Sequence, residues 1–530
     1  TINAMQLSAL QLYSLSKSAL EQNEVEKSIV SCRALNSQFP EFFKGWWLAG
    51  CIHLRLKKSE AGLISTSRAL SLKPNDPLVL MQRIEFLSRL DRDKEVKETL
   101  EVLSKLKLDN AAVHADIALL LSAEEMHDAA IRHYLAALHY EPGNAWLHYN
   151  IAAAYRFTGD IKKCEASLDK CLSLNYLDSE AQSMRSSLRT QSQDDNHIEE
   201  LIRAYTDNTI TTSARSGICY ALSKELDDLN EPEKSFGYLK QGSDIRRVNM
   251  AYDVKVDENI MSFIKQTFDS ANCVQKAIPR SGIQPIFIIG LPRTGTTLLE
   301  RILDSHSAIQ SRGELDVLGA EIAKQTAISA NKSSLSALDM INQCKTIDLD
   351  ELADRYLSKA VPNNHDGGYF IDKLPLNFLY AGLIHRALPA AKIISLTRHP
   401  IASCMAMYKQ QFRDIYPFSY DLSDLGRYFV AYYQLMNHWH SIMPGAIHSV
   451  SYENLVTDTE KETRQVLDFC KLKWEPECLK FYESSTPSTT ASATQIRQPV
   501  YSQSIDRWRK YTDQLGQLST ILAEAGIDVR

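Results

Sequence analysis

The segment Gly290-Leu-Pro-Arg-Thr-Gly-Thr-Thr297 puts two glycines, one arginine and three hydroxyl side chains into eight residues. The apolar run 285–289 leads into it, and Leu298, Leu299, Ile302 and Leu303 follow at helical spacing. A strand, a glycine-rich turn and a helix in that order make an anion cradle. Backbone N–H groups and the positive end of the helix dipole converge there. Gly290 and Gly295 keep the G-x-x-x-x-G spacing of a Walker A loop, yet Thr296 stands where that motif requires lysine. The loop's own cation is Arg293. An ATPase or kinase would lack the group that reaches the transferred phosphate, so the cradle is read as holding a phosphate that stays on its carrier.

The elements around this loop must bring further charges to it. After residue 284 the pattern turns to short β-branched runs, at 286–289, 369–371, 392–396 and 448–450, with helical segments between them. Such alternation predicts a parallel sheet covered on both faces, with ligands at the carboxyl ends of its strands. Lys373 follows the second run and Arg398 the third, so both are expected at the same sheet edge as the loop.

The first part of the chain is of another kind. Pro40, Pro74, Leu108, Pro142 and Tyr176 recur at a spacing of 34 residues, with small residues such as Ala49, Gly50, Ala118 and Ala152 at repeated offsets. This pattern resembles the tetratricopeptide repeat and predicts an α-solenoid with a concave groove. The unit after Pro77 departs most, with Arg83 and Ile84 at small-residue positions. The groove reads either as a scaffold or homodimer surface or as a dock for a peptide or protein, and the second reading is favoured. The expected division is a solenoid over 1–195, a helical continuation or cap over 196–272, a linker over 273–284 and a catalytic domain over 285–530.

The 530 residues exceed what one core supports. A net charge of −6 gives no electrostatic reason for nucleic acid as partner. No apolar run is long enough to span a bilayer, and no basic-then-apolar start marks a secretory signal. The ten cysteines contain no Cys-x-x-Cys pair, which argues against structural zinc and for reduced, buried thiols in a cytoplasmic protein.

Three segments together, the 290–297 loop, Leu396-Thr-Arg-His-Pro400 and Val450-Ser-Tyr-Glu-Asn-Leu455, resemble the sulfotransferases that use 3′-phosphoadenylyl sulfate (PAPS). The similarity is to the bacterial tetratricopeptide-repeat sulfotransferases and, beyond them, to the tyrosylprotein sulfotransferases. It implies a P-loop-like α/β domain that uses PAPS as co-substrate and needs no metal. In that family the loop residues Pro292, Arg293, Thr294, Gly295, Thr296 and Thr297 grip the 5′-phosphosulfate. Arg398 matches the arginine on the 3′-phosphate. The serine that the family places eight residues later is Ala406 here, and Ser403 is the nearest hydroxyl.

The resemblance further implies Glu314 as general base, Lys373 and Arg293 as cations on the transition state, and Tyr452 as a nucleotide contact. Ser492 and Arg497, in a Ser/Thr-rich stretch with a basic residue behind it, match a segment that closes over PAPS. His306 is an alternative base, although its position at the end of an apolar helix suits a structural cap. Sulfuryl transfer, like phosphoryl transfer, asks mainly for positioning and charge stabilisation. Two other functions stay open: an ATP-using P-loop kinase, and a catalytically inactive repeat scaffold. The acceptor is a tyrosine hydroxyl in a protein, a saccharide or a small phenol.

Overall fold

A computed structural model describes residues 7–90, 92–271, 273–274, 277, 282–361, 368–412, 415–483 and 505–530 of the chain. Helix starts in the first part keep the period of the sequence: Ala9, Phe43, Pro77, Ala111, Ala145 and Ser179 lie 34 residues apart. The preceding residues are Ser8, Phe42, Asp76, Asn110, Asn144 and Asp178. All but Phe42 accept first-turn N–H groups with their side chains. Each such cap contributes about 1 kcal/mol.

The chain divides into two compact units, 1–175 and 176–530. In the first, ten helices among the described residues pack as consecutive pairs, from Ala9–Glu21 with Val25–Gln38 to Ala145–Thr158 with Ile161–Leu174. Small residues let them approach: a Cβ on Gly62 would sit 2.1 Å from the ring of the fully buried Phe86. The divergent unit keeps the pairing. Ile84 enters the core while Arg83 reaches Ser67 and Glu95. Its second helix stops early, at Leu103, where the proline position is held by Leu108.

The second unit is built on five strands: β1 (Gln284–Gly290), β2 (Ile309–Ser311), β3 (Tyr369–Asp372), β4 (Lys392–Thr397) and β5 (Ile447–Ser451). Their order is β2-β3-β1-β4-β5, and every neighbouring pair is parallel. Alternation along β1 divides the core. Ile286 and Ile288 pack with Leu299, Ile302 and Leu303 on one face, and Phe287 and Ile289 with Tyr356 and Trp439's cluster on the other. That second cluster also takes in Tyr220, Phe236, Leu239, Met261 and Phe268, so helices before β1 share a core with the sheet.

Asp227, on the helix Thr212–Asp228, joins these parts with charge. Lys409 Nζ donates to it at 2.8 Å and Tyr511 Oη at 2.5 Å, and Lys510 pairs with it as well. β1 is the central strand: the chain runs from it to β2 and β3 on one side, then crosses to β4 and β5 on the other. At such a switch point the loops after the strands part and leave a crevice. Four expected strands match β1, β3, β4 and β5; three-residue β2 had no pattern of its own.

Candidate active site

The loop after β1 is held by contacts that only its glycines allow. Gly290 has φ +148°, and a Cβ there would lie 2.7 Å from the Leu396 carbonyl oxygen of β4. Gly295 has φ +99°, and its Cβ would lie 2.5 Å from Tyr452 Cδ2. Arg293 itself takes a left-handed φ of +65°, uncommon for any residue other than glycine. Thr294 Oγ1 closes the turn by donating to the Leu291 carbonyl at 2.7 Å. The helix Thr296–Asp304 then begins with no side-chain cap, so the N–H groups of its first turn face the crevice as anion donors.

β4 and β5 supply the second half of the crevice. Arg398, just past β4, donates from Nη1 to the Arg293 carbonyl at 3.0 Å, which couples the two loops. Its guanidinium lies 4.5 Å from the centroid of the Tyr452 ring. Tyr452 therefore packs between Gly295 and Arg398, and such a cation–π contact contributes about 0.5–2 kcal/mol. The turn beyond Arg398 is pinned by Glu453, which accepts from the His399 N–H at 2.9 Å and the Ser451 hydroxyl at 2.9 Å. Ser403 lies one turn into the helix Pro400–Tyr408. Its hydroxyl is fully buried and has no hydrogen-bond partner among the described residues. An orphaned hydroxyl of this kind normally has a ligand or water to satisfy it.

The third group of charges stands at the ends of β2 and β3. Lys373 is 1% exposed, and its Nζ lies 2.5 Å from Glu314 Oε1 and 3.7 Å from Glu300 Oε2. One ammonium thus sits between two carboxylates. Glu314 is about half exposed, on the loop after β2, whereas Glu300 is buried in the phosphate-loop helix. Burial pushes the Glu300 carboxyl up from its ordinary range, partly opposed by Lys373 and by the Ser311 hydroxyl at 2.6 Å. Beneath them lies Asp372, fully buried and pushed up to about 7 by burial. It accepts from Tyr356 Oη at 2.8 Å and Asn377 Nδ2 at 3.2 Å, and the Leu315 N–H also donates to it. Leu315 adjoins Glu314, so this buried carboxyl holds the loop that carries Glu314. Tyr416 lies near enough for the Glu314 charge to add to burial in raising its phenol.

Pro292, Arg293, Thr294, Gly295, Thr296 and Thr297 follow β1, Arg398 and Ser403 follow β4, Tyr452 follows β5, and Lys373 follows β3, with Glu314 on the loop after β2. Ser492 and Arg497 lie outside the described residues. His306 is a cap: Nδ1 accepts from the Ala308 N–H at 3.0 Å and Nε2 faces the Lys473 carbonyl at 2.9 Å. Sequence reasoning missed Glu300 and Asp372. The signal for Glu300 was a carboxylate inside the apolar helix Thr-Thr-Leu-Leu-Glu-Arg-Ile-Leu, and for Asp372 a carboxylate ending a buried strand. Both are costly placements without a partner.

Residues 285–476 match the family model described as the sulfotransferase family, and residues 121–188 match that of the tetratricopeptide repeat. An uncharacterised protein of Aquifex aeolicus (strain VF5) is 29% identical over 62% of this chain, and the match covers 44% of its own length. A putative protein-tyrosine sulfotransferase of Caenorhabditis briggsae is 24% identical over 42% of this chain and 80% of its own. Among solved structures, the sulfotransferase domain from the curacin biosynthetic pathway aligns with 19% identity and a TM-score of 0.33. That alignment covers 48% of this chain and all of the solved one.

Proposed function

We propose that this chain, with a sulfotransferase-family domain behind tetratricopeptide repeats, is a PAPS-dependent sulfotransferase that moves a sulfuryl group to an acceptor hydroxyl. The observation that carries the reading is the set of charges at the carboxyl ends of the strands: a lysine-free phosphate loop tied to Arg398, and a buried Lys373 paired with Glu314. The site fits a donor with two separated anionic groups. The loop from Pro292 to Thr297 suits the phosphosulfate, and Arg398 with the unsatisfied Ser403 hydroxyl suits the 3′-phosphate. Ser403 answers, from the preceding helical turn, for the hydroxyl absent at Ala406.

In the reaction, Glu314 accepts the proton of the acceptor hydroxyl as that oxygen bonds to sulfur. The bond between sulfur and the bridging phosphate oxygen breaks, and its electron pair leaves with 3′-phosphoadenosine 5′-phosphate. Lys373 and Arg293 neutralise the charge that builds on that oxygen. General-base assistance of this kind contributes about 10²–10⁴ in rate. Tyr452 shapes the nucleotide side by fixing Arg398. Ser492 and Arg497 are proposed to close over the donor.

The protein-tyrosine sulfotransferase relatives make a protein tyrosine the first acceptor to test, and the repeats suit presentation of a polypeptide or a homodimer contact. In this reading residues 1–195 serve the acceptor, 196–272 continue the helical array, 273–284 link, and 285–530 transfer. The ten cysteines are thiols, which supports work in the cytoplasm. Calorimetry with 3′-phosphoadenosine 5′-phosphate, set against ATP with magnesium, tests the proposal. Binding of the first without metal is expected; binding of ATP alone would favour a kinase, and binding of neither an inactive scaffold.

A further inference from the structure

Lys373 brings a single positive charge to two carboxylates before any anionic donor arrives. Its Nζ is in contact with Glu314 at 2.5 Å and within ion-pair range of Glu300 at 3.7 Å. Glu300 stands five positions beyond Gly295 on the helix whose first turn faces the crevice. An anionic donor in the loop draws Lys373 toward its own oxygens, and the two carboxylates respond differently. Glu314 is half exposed, so water can replace the ammonium. Glu300 is 6% exposed, so nothing replaces it.

The remaining groups that face Glu300 do not fill that role. Ser311 on β2 donates a neutral hydroxyl at 2.6 Å. Arg301 and Asp304 on the same helix carry opposite charges and lie 3.9 Å from each other. β1 contributes the apolar Ile286 and Ile288 to the core beside this helix. From the segment Pro476–Glu483, the buried Cys478 and Phe481 pack against this core, while Glu477, Lys480 and Glu483 are exposed.

We propose that Glu300 is a positioning residue that holds Lys373 between the two loops in the resting enzyme, and that it takes up a proton when the anionic donor claims Lys373. Donor binding is then coupled to proton uptake, and the site keeps its charge balance as the donor adds negative charge. Burial already raises the Glu300 carboxyl, and once the ammonium has moved its largest opponent is gone, leaving the Ser311 hydroxyl and Arg301. No covalent step is involved: one proton passes from solvent to the Glu300 carboxylate.

The inference rests on the proposed sulfotransferase reading, and the test separates the two. Calorimetric titration of the full chain with 3′-phosphoadenosine 5′-phosphate, in buffers of different ionisation enthalpy, counts protons taken up per nucleotide bound. The same count on Glu300→Gln removes the contribution of the nucleotide's phosphates, which is common to both proteins. The wild type is expected to take up about one proton more than Glu300→Gln at neutral pH. Equal counts with nucleotide bound to both would overturn the inference and leave the sulfotransferase reading standing. No nucleotide binding by either protein would overturn both.

If Glu300→Gln does not fold, the wild type alone decides. Above about pH 7.5 the phosphates are fully ionised, since their second pKa is near 6. The nucleotide Kd should then rise up to about tenfold per pH unit as Glu300 resists protonation. A Kd independent of pH in that range would contradict proton uptake at Glu300.

Discussion

Gly295→Ala would drive a methyl group into the ring that holds the second anion site. The new Cβ lies 2.5 Å from Tyr452 Cδ2 and 3.2 Å from Cε2, well inside contact distance. The backbone at φ +99° adds strain of about 1–2 kcal/mol for any residue with a Cβ. To relieve the overlap Tyr452 must swing away, because the alternative is to distort the loop. Its ring then leaves the Arg398 guanidinium, now 4.5 Å from the centroid, with a further loss of about 0.5–2 kcal/mol.

The two costs fall on different measurements. Strain appears as a Tm lowered by a few degrees, and the freed Arg398 appears as weaker nucleotide binding, together about 1.5–4 kcal/mol. At 1.4 kcal/mol per tenfold, about 2- to 30-fold in Kd for 3′-phosphoadenosine 5′-phosphate is the expected share for binding. Tyr452→Ala gives room to the new methyl group, so the double variant should recover stability while binding stays weak. A double-mutant cycle reads this as coupling of about 1 kcal/mol or more in Tm-derived stability. Gly295→Ala binding within twofold of wild type, with unchanged Tm, would refute the packing of Tyr452 between loop and Arg398 as the source of nucleotide affinity.

Glu314→Gln should lower kcat by about 10²–10⁴ while nucleotide affinity stays within a few-fold, read by turnover and calorimetry on the same preparation; matched losses in both would deny it the role of base. Gly290→Ala, whose Cβ meets the β4 backbone at 2.7 Å and not a movable ring, should damage folding more than Gly295→Ala, seen as the larger fall in Tm. Asp227 gives a pH signature. Burial opposes its charge, but Lys409, Lys510 and Tyr511 outweigh that and hold its carboxyl at about 2, below the ordinary 3.8. A depressed carboxylate stabilises the fold above its unfolded value and loses that contribution as pH falls toward the folded value. The stability gap between wild type and Asp227→Asn should therefore shrink by about 2 kcal/mol between pH 4 and pH 2, and a constant gap over denaturant melts in that range would contradict the charge role.

The parts legible in the sequence were those with short-range signals. The 34-residue period announced the helix pairs, since five of the six starts at that spacing repeat a capping side chain. The β-branched runs announced four strands, and the loop's glycines announced its turn. The missed elements are those whose meaning lies in distant neighbours. β2 is three residues long and is recognisable only by its pairing with β3. Glu300 looks like an ordinary helix residue until β3 delivers Lys373 beside it, and Asp372 needs Tyr356 from a helix and Leu315 from a loop to explain a buried carboxyl. Tyr452 has two readings in the sequence, nucleotide contact or core ring. Its packing on Gly295 and Arg398 assigns it to the wall between the two loops.

Transfer of label from radiolabelled PAPS is the most direct test of the central claim. The full chain is incubated with the donor and a protein-tyrosine peptide pool, without metal, and product and 3′-phosphoadenosine 5′-phosphate are quantified together. The account predicts labelled acceptor in equal amount to the released nucleotide, lost in Glu314→Gln. Nucleotide bound but no label transferred to any peptide, saccharide or phenol, with wild type and Glu314→Gln alike, would contradict it.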